Sequence, residues 1–368
     1  MMVTQFPPPV HGVSYLSHEL LLYWKKLSNF NINIIQLNYS KSINELEKFS
    51  IKKILHVFFC LMRIVKYLIF SRKSIIYYTM ATYGFALYRD LLFLFLFKLK
   101  NKKLVIHLHG IGFDRYRSNL ILKIILNFTF RGASIIQHFP KHLENIQWFA
   151  PKNLEVDFVP NGISNDYTSR PIEKNNEKKQ ESSPIKILFF SNMLRTKGPD
   201  IALRALALLK EQYNNFICFF CGAPTKEFNE EIFYQMADKL EISKNVRFIG
   251  PLYGVDKEKM YTSCDIFIFP SWLESFGNVI LEAMKYEIPI VASSTGGISE
   301  IIEHEVNGLL FKPKNEEELC KNILKLIVDK NLRMKLAFQA KQDFLNKYTI
   351  EKFTKNMSKI VLGTDTIM

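Results

Sequence analysis

Short apolar runs rich in β-branched residues alternate with longer helical patterns along this chain, and the alternation occurs twice. The first series is INIIQL (32–37), SIIYYT (74–79), LVIHLH (104–109), SIIQHF (134–139) and EVDFVP (155–160), with helical patterns at 14–28, 45–70, 85–100 and 117–131. A polar, charged stretch with two prolines, RPIEKNNEKKQESSP (170–184), then reads as a linker. The second series is IKILFFS (185–191), FICFFCG (216–222), VRFIG (246–250), DIFIFP (265–270) and IPIVAS (288–293), with helices expected at 198–213, 227–241, 255–263 and 277–286. Near-continuous apolar strands between helices imply parallel sheets covered on both faces. The expected fold is therefore α/β, with two doubly wound, Rossmann-like domains facing a cleft. Residues 1–169 form the first domain, 170–184 the linker and 185–345 the second. A last helix in NKYTIEKFTKNMSKIVL (346–362), within the terminal segment 346–368, is expected to pack back on the first domain. The length of 368 residues also suits two cores rather than one. Ligands of such sheets bind at the carboxyl ends of the strands, so a site would gather loops from both domains.

The charge is divided unevenly. Residues 1–150 hold 20 Lys and Arg against 6 Asp and Glu, a net of +14, whereas residues 151–368 hold 29 against 29. A basic N-terminal portion suits nucleic acid, an anionic membrane face or an acidic substrate. No nucleic-acid recognition motif accompanies it, so nucleic acid is not an expected partner. The segment IKKILHVFFCLMRIVKYLIF (51–70) is apolar but interrupted by Lys, His and Arg, which argues against a membrane span. It reads either as a partly buried helix with snorkelling cations or as a basic amphipathic helix on a bilayer surface.

The opening residues do not combine a basic region with a following apolar one, so no cleavable signal peptide is expected. The five cysteines, Cys60, Cys218, Cys221, Cys264 and Cys320, are odd in number and scattered, which suits a reducing cytoplasm. Cys218 and Cys221 stand as C-x-x-C, but within a strand their side chains leave opposite faces, so they are expected in the core rather than on a metal.

The stretch PSWLESFGNVILEAMKYEIPIVASSTGG (270–297) carries two carboxylates, Glu274 and Glu282. Glu274 lies in the loop after a strand and Glu282 in the second turn of the following helix. Eight helical residues span about 12 Å and turn the second side chain by about 80°. The two therefore do not form a proton-sharing dyad. They suit two ends of an extended, hydroxyl-rich ligand. Between them the amides of Phe276, Gly277 and Asn278 open a helix, a natural seat for phosphate, and Gly277 permits close approach.

ESFGNVILE resembles the E-x7-E motif of retaining, two-domain (GT-B) glycosyltransferases, in particular the large family 4. Other segments agree in order: FPPPVHGVS (6–14), HLHG (107–110), VPNGIS (159–164), SNMLRTKG (191–198), VRFIGPL, DIFIFPSW, GGISEII and NGLLF. The resemblance covers nearly the whole chain; each fragment is weak alone, and their common register is strong.

By position, the resemblance implies that Glu274 binds donor-sugar hydroxyls and Glu282 the ribose. The backbone around Ser275, Phe276, Gly277 and Asn278, together with Gly12, would hold the diphosphate, with Lys197 adding positive charge. Gly250 and Leu252 would frame the base. His109 would face the reacting sugar, with His107, on the same strand face, as its rival. Two of the motif loops depart from the family, and the first strand is short. The loop before Lys197 usually carries Gly-Arg, whose arginine pairs with the diphosphate; here Ser191 and Asn192 stand there, and Arg195 is a substitute to be tested. The N-terminal loop usually carries Gly-Gly; here it is His11-Gly12.

No D-x-D is present, so the metal-binding carboxylate pair of the other major glycosyltransferase fold is missing. GIGFDR (110–115) has Arg115 where a dinucleotide fingerprint needs its third glycine, and there is no P-loop. The expected protein is a retaining glycosyltransferase that needs no metal and no cofactor. It would move a hexose-type sugar from a UDP- or GDP-sugar to a saccharide, or lipid-linked saccharide, acceptor. Cell-surface polysaccharide assembly (lipopolysaccharide or capsule) at the inner, anionic face of the cell membrane is the expected setting. A nucleotide-sugar epimerase of the same fold and a non-catalytic sugar-nucleotide-binding subunit are the alternatives.

Overall fold

The computed structural model describes residues 1–8, 11–27, 31–37, 51–71, 74–100, 102–167 and 183–363. The chain divides into two units, Met1–Gly162 with Ile350–Met368, and Ile163–Thr349. In the first unit, β1 (Met2–Thr4), α1 (Gly12–Lys26), β2 (Ile34–Gln36), α2 (Ile51–Phe70), β3 (Ile75–Met80), α3 (Gly84–Lys98), β4 (Lys103–Leu108), α4 (Leu120–Phe130), β5 (Ser134–Gln137) and β6 (Glu155–Phe158) follow one another. In the second, β7 (Ile185–Phe190), α5 (Pro199–Gln212), β8 (Phe216–Cys221), α6 (Glu230–Lys239), β9 (Val246–Gly250), α7 (Gly254–Ser263), β10 (Ile266–Phe269), α8 (Asn278–Lys285), β11 (Ile290–Ser293), α9 (Ile298–Ile301), β12 (Leu309–Phe311), α10 (Glu316–Val328) and α11 (Lys330–Lys347) precede α12 (Ile350–Leu362), which belongs to the first unit.

Each unit holds a six-stranded sheet, ordered β2-β1-β3-β4-β5-β6 and β12-β11-β10-β7-β8-β9, and the pairings are parallel. The apolar runs are strands because both of their faces are covered. In the first unit, Ile76, Tyr78 and Ile106 pack on one side beneath Ile64, Leu68, Phe93 and Leu126. Tyr77, Val105 and Ile136 pack on the other beneath Leu16, Leu20, Phe353 and Met357. The terminal helix α12 thus lies on α1, where Trp24 Nε1 donates to Ser358 Oγ at 2.9 Å. In the second unit, Ile187, Phe189, Cys218 and Phe220 share a core with α5, α6 and α10. Cys218 and Cys221 are buried and free, as their place in a central strand implies.

Several boundaries differ from the sequence expectation. The unit boundary falls at Gly162–Ile163 rather than at 169. Ile163 bridges to Thr349, and Tyr167 and Asp166 pack on Lys285, so these residues belong to the second unit. Residues 170–182 of the expected linker 170–184 lie outside the described residues, as do 45–50 of the expected helix 45–70. The tail is two helices, α11 ending at Lys347 and α12 starting at Ile350, so 346–349 are not part of the last one.

The membrane-facing reading of α2 puts Val57, Phe58, Leu61, Ile64 and Leu68 on the bilayer side, and of these five the structure leaves Phe58 alone exposed. Ile64 and Leu68 are 0% and 5% exposed, and Val57 and Leu61 pack against the same core. The helix is apolar on both sides, and what it leaves open is a second row: Ile54, Leu55, Phe58, Phe59, Met62 and Ile69. The neighbouring helices also expose apolar side chains, Phe85, Leu92 and Phe95 on α3 and Leu120, Ile121, Ile124 and Phe128 on α4, and the Phe95 and Phe128 rings meet at 6.1 Å. Lys52, Arg63 and Lys66 are exposed on α2, while Arg72 and Lys73 lie outside the described residues. Among the described residues, no helix is long and apolar enough to cross a membrane.

Candidate active site

The second sheet starts in its middle. From β7 the chain moves outward to β8 and β9, then returns to the opposite side of β7 with β10, β11 and β12. Connections leave β7 and β10 in opposite directions, and the carboxyl ends of those two strands flank the crevice where ligands of open α/β sheets bind. The loops there are 191–198 and 270–277, which contain Lys197 and Glu274.

Glycines allow these loops to touch. Gly198 has φ +74°, and a Cβ there would sit 2.3 Å from the Pro270 carbonyl oxygen at the end of β10. Only glycine tolerates both the backbone angle and the approach. After β11, a Cβ on Gly296 would lie 1.8 Å from the Glu274 oxygen and one on Gly297 2.3 Å from the Ser275 oxygen. The loop after β7 is thereby drawn against Pro270, and the loop after β11 against the backbone of 274–276.

The result is an ion pair. Lys197 Nζ lies 2.5 Å from Glu274 Oε2, with side chains 21% and 13% exposed. The Lys197 ammonium also stands 5.9 Å from the centre of the Phe269 ring. Gly277, at φ +94°, turns the chain into α8 and is its N-cap, with no side chain capping the helix start. Phe276 is 2% exposed, so only its backbone could serve a ligand.

Glu282 has separate partners. Its Oε1 is 2.6 Å from Lys257 Nζ, and its Oε2 accepts from the Tyr261 hydroxyl at 2.8 Å. Tyr261 is fully buried and stacks on Phe190 and Tyr286, with ring centres at 5.2 and 5.3 Å. Burial, reinforced by the Glu282 charge, holds its hydroxyl well above the usual tyrosine range. The two glutamates thus occupy two environments, each with its own cation. Lys257 and Tyr261 were not singled out from the sequence, although their i, i+4 spacing on α7 puts them on one face.

The remaining candidates of this unit lie along the same carboxyl edge. Asn192 Oδ1 accepts from the Ala223 amide at 3.3 Å, so this side chain ties the loop after β7 to the loop after β8. Arg195 is exposed, and its carbonyl accepts from Trp272 Nε1 at 3.0 Å. Gly250 ends β9 at φ +81° and accepts from the Gly222 amide, and Leu252 follows half-buried. Ser275 is half-buried between Glu274 and Phe276.

In the first unit, Gly12 is the exposed first residue of α1. Its neighbour His11 caps that helix: Ser14 Oγ accepts from the His11 amide at 2.9 Å, and His11 Nδ1 accepts from the Ser14 amide at 3.4 Å. His107 is fully buried on β4, with Nδ1 2.7 Å from the Tyr77 hydroxyl. His109 lies just past the strand end and is half-buried, which favours it over His107 as the ligand-facing residue. Their ring centres are 3.9 Å apart, and His138 stands 5.4 Å from His109. Burial, then the neighbouring histidines, holds His107, His109 and His138 well below the usual histidine range, so all three are neutral. His142 is pushed down to about 4, mainly by burial and then by Lys141. The sequence reading missed His138 and His142; the signal was QHFPKH, a histidine at a strand end with a second four residues on.

Comparison with known proteins agrees with this architecture. Residues 171–343 match the model of the family described as glycosyl transferases group 1. An uncharacterized glycosyltransferase, MJ1607 of Methanocaldococcus jannaschii, is 34% identical over 179 residues, 48% of this chain and 45% of that protein. The chain thus spans less than half the length of this curated relative. Among solved structures, HepE of Anabaena in complex with UDP-glucose has a TM-score of 0.72 at 19% identity, covering 99% of each chain. WaaG, described as a glycosyltransferase involved in lipopolysaccharide biosynthesis, has a TM-score of 0.68 at 15% identity, covering 99% of this chain and 100% of its own. The fold is that of the GT-B glycosyltransferases, and the segment 171–343 of the second unit carries the sequence pattern of glycosyl transferases group 1.

Proposed function

We propose that the protein is a retaining glycosyltransferase that moves a hexose-type sugar from a UDP- or GDP-sugar to a saccharide or lipid-linked saccharide. The observation that carries this reading is the Lys197–Glu274 pair, set at the β7/β10 crevice beside the start of α8. A diphosphate seated at that helix start is attracted by the positive end of the helix and by the Lys197 ammonium. The incoming anion competes with Glu274 for the lysine and frees the carboxylate to accept from sugar hydroxyls. Glu282 lies further along α8 and suits the ribose hydroxyls. The UDP-glucose held by HepE supports a nucleotide-sugar donor of this kind.

In the reaction, the bond from the donor's anomeric carbon to the diphosphate oxygen breaks, and a bond from the acceptor oxygen to that carbon forms on the same face. The acceptor proton passes to the departing phosphate. Stabilisation of the developing phosphate charge falls to Lys197, backbone amides and the helix dipole. Neutral His109 can donate to, or accept from, the sugar without adding charge.

The acceptor is assigned to the first unit, which carries the excess positive charge and the open apolar face of α2, α3 and α4. Those features suit an anionic membrane surface and an acceptor held there. The described role of WaaG supports a place in cell-surface polysaccharide assembly.

The test is product analysis by mass spectrometry with a panel of UDP- and GDP-sugars, with and without EDTA. Transfer, or donor hydrolysis without acceptor, is expected, undiminished by the chelator. Isomerised donor with neither outcome would mark an epimerase, and a strict need for Mg²⁺ or Mn²⁺ would overturn the metal-independent mechanism.

A further inference from the structure

The histidines of the first unit form a donor set for a metal ion. One ring nitrogen from each of His107, His109 and His138 lies within 4.8 Å of the other two. Nε2 of His107 and Nε2 of His109 are buried, and neither has a hydrogen-bond partner among the described residues. Buried polar atoms are normally satisfied, so two adjacent unsatisfied nitrogens call for an occupant. The orienting contacts are already made: the Tyr77 hydroxyl holds His107 through Nδ1 at 2.7 Å, which leaves Nε2 for a ligand, and Asn161 hydrogen-bonds His138. Such outer partners fix the ring and tautomer of metal-bound histidines.

We propose that His107, His109 and His138 bind one divalent ion of the zinc class. Three imidazole nitrogens without a carboxylate suit zinc, cobalt or nickel and not the oxygen-seeking magnesium or calcium. Burial keeps the rings neutral, the state that binds metal. Metal–nitrogen bonds of roughly 2.0–2.1 Å require the nitrogens to close by on the order of 1 Å, within reach of small ring rotations. The ion would engage the lone pair of His109. If His109 faces the sugar, as the glycosyl-transfer reading has it, occupancy inhibits transfer; this consequence rests on that reading, whereas the binding does not.

The experiment uses the full chain, without an affinity tag and stripped with chelator, titrated with Co²⁺ and followed by its visible ligand-field absorption. The expected result is one Co²⁺ per chain, displaced by Zn²⁺. His138→Gln should weaken binding at least about 100-fold, more than the 10–100-fold typical of losing an outer partner. His18→Gln, on an exposed side chain, should bind like the parent. Should His138→Gln fail to fold, the parent's melting temperature carries the test, since an ion bound only by the folded state raises it. Absence of absorption bands, an unmoved melting temperature at saturating Zn²⁺, or parental affinity in His138→Gln would overturn the site and leave the nitrogens to buried water. A chain that binds the ion on titration but, stripped of metal, transfers no sugar would overturn the functional reading alone.

Discussion

Lys197 and Glu274 are 77 residues apart in sequence, and their charged ends meet at 2.5 Å beside the start of α8. An ion pair at the place where an anionic ligand is expected is a contact that ligand can exchange. Lys197→Ala and Glu274→Ala should each lower transfer by roughly 10- to 150-fold, the value of a hydrogen bond to a charged group. Glu274→Ala should act chiefly on turnover. Because the two side chains share one contact, the double variant should lose less than the product of the single losses. Steady-state rates of the four proteins check this; wild-type activity in either single variant would remove that residue from the mechanism.

Glu282 should behave differently. Its carboxylate bonds Lys257 and Tyr261 rather than Lys197. Glu282→Ala should weaken nucleotide binding, by roughly the same 10- to 150-fold, while turnover at saturating donor changes less. Calorimetric titration with UDP and GDP reads the affinity directly. Unaltered affinity for both would show that this glutamate serves the fold and not the ribose.

The loop contacts of the second unit predict a stability effect. Gly198→Ala forces a side chain into φ +74° and against the Pro270 carbonyl. Strain of about 1–3 kcal/mol, at about 2–4 °C per kcal/mol for a domain of this size, lowers the melting temperature by roughly 2–12 °C. Gly250→Ala has a similar backbone angle, φ +81°, but open space around its Cβ, so it should lose less. Thermal unfolding of both variants is the measurement, and equal losses would mean that the Pro270 contact contributes nothing.

The open face of α2 predicts reversible membrane attachment. Phe59 is 63% and Met62 55% exposed on that face, with basic residues on the same helix. A cation near an anionic leaflet contributes about 1 kcal/mol, and apolar burial adds to it. Screening reduces the electrostatic reach to about 10 Å at 0.1 M salt, so high salt should release part of the protein. Co-sedimentation with anionic vesicles should exceed that with neutral ones, and Phe59→Glu with Met62→Glu should abolish it. Equal, negligible binding to both vesicle types would point to a soluble acceptor.

By itself the sequence determined the two α/β units, nearly every central strand and the placing of Glu274 in a loop and Glu282 on the helix after it, because these depend on local periodicity and on residues within one loop and helix. Which strands are neighbours was decided in three dimensions, and with it which loops flank the β7/β10 crevice. The partnership of Lys197 with Glu274 exists only because Gly198 and Gly296 let three loops close on one another. The two-sided apolar pattern of α2 could not say which face is inside, since periodicity marks a stripe without naming its partner; the sheet took Ile64 and Leu68 and left Phe58 and Phe59 outside. His107, His109 and His138 come from two strand ends, and only parallel pairing of β4 with β5 brings them together. Contacts of this kind depend on burial shared between distant segments, a quantity that no single stretch of sequence contains.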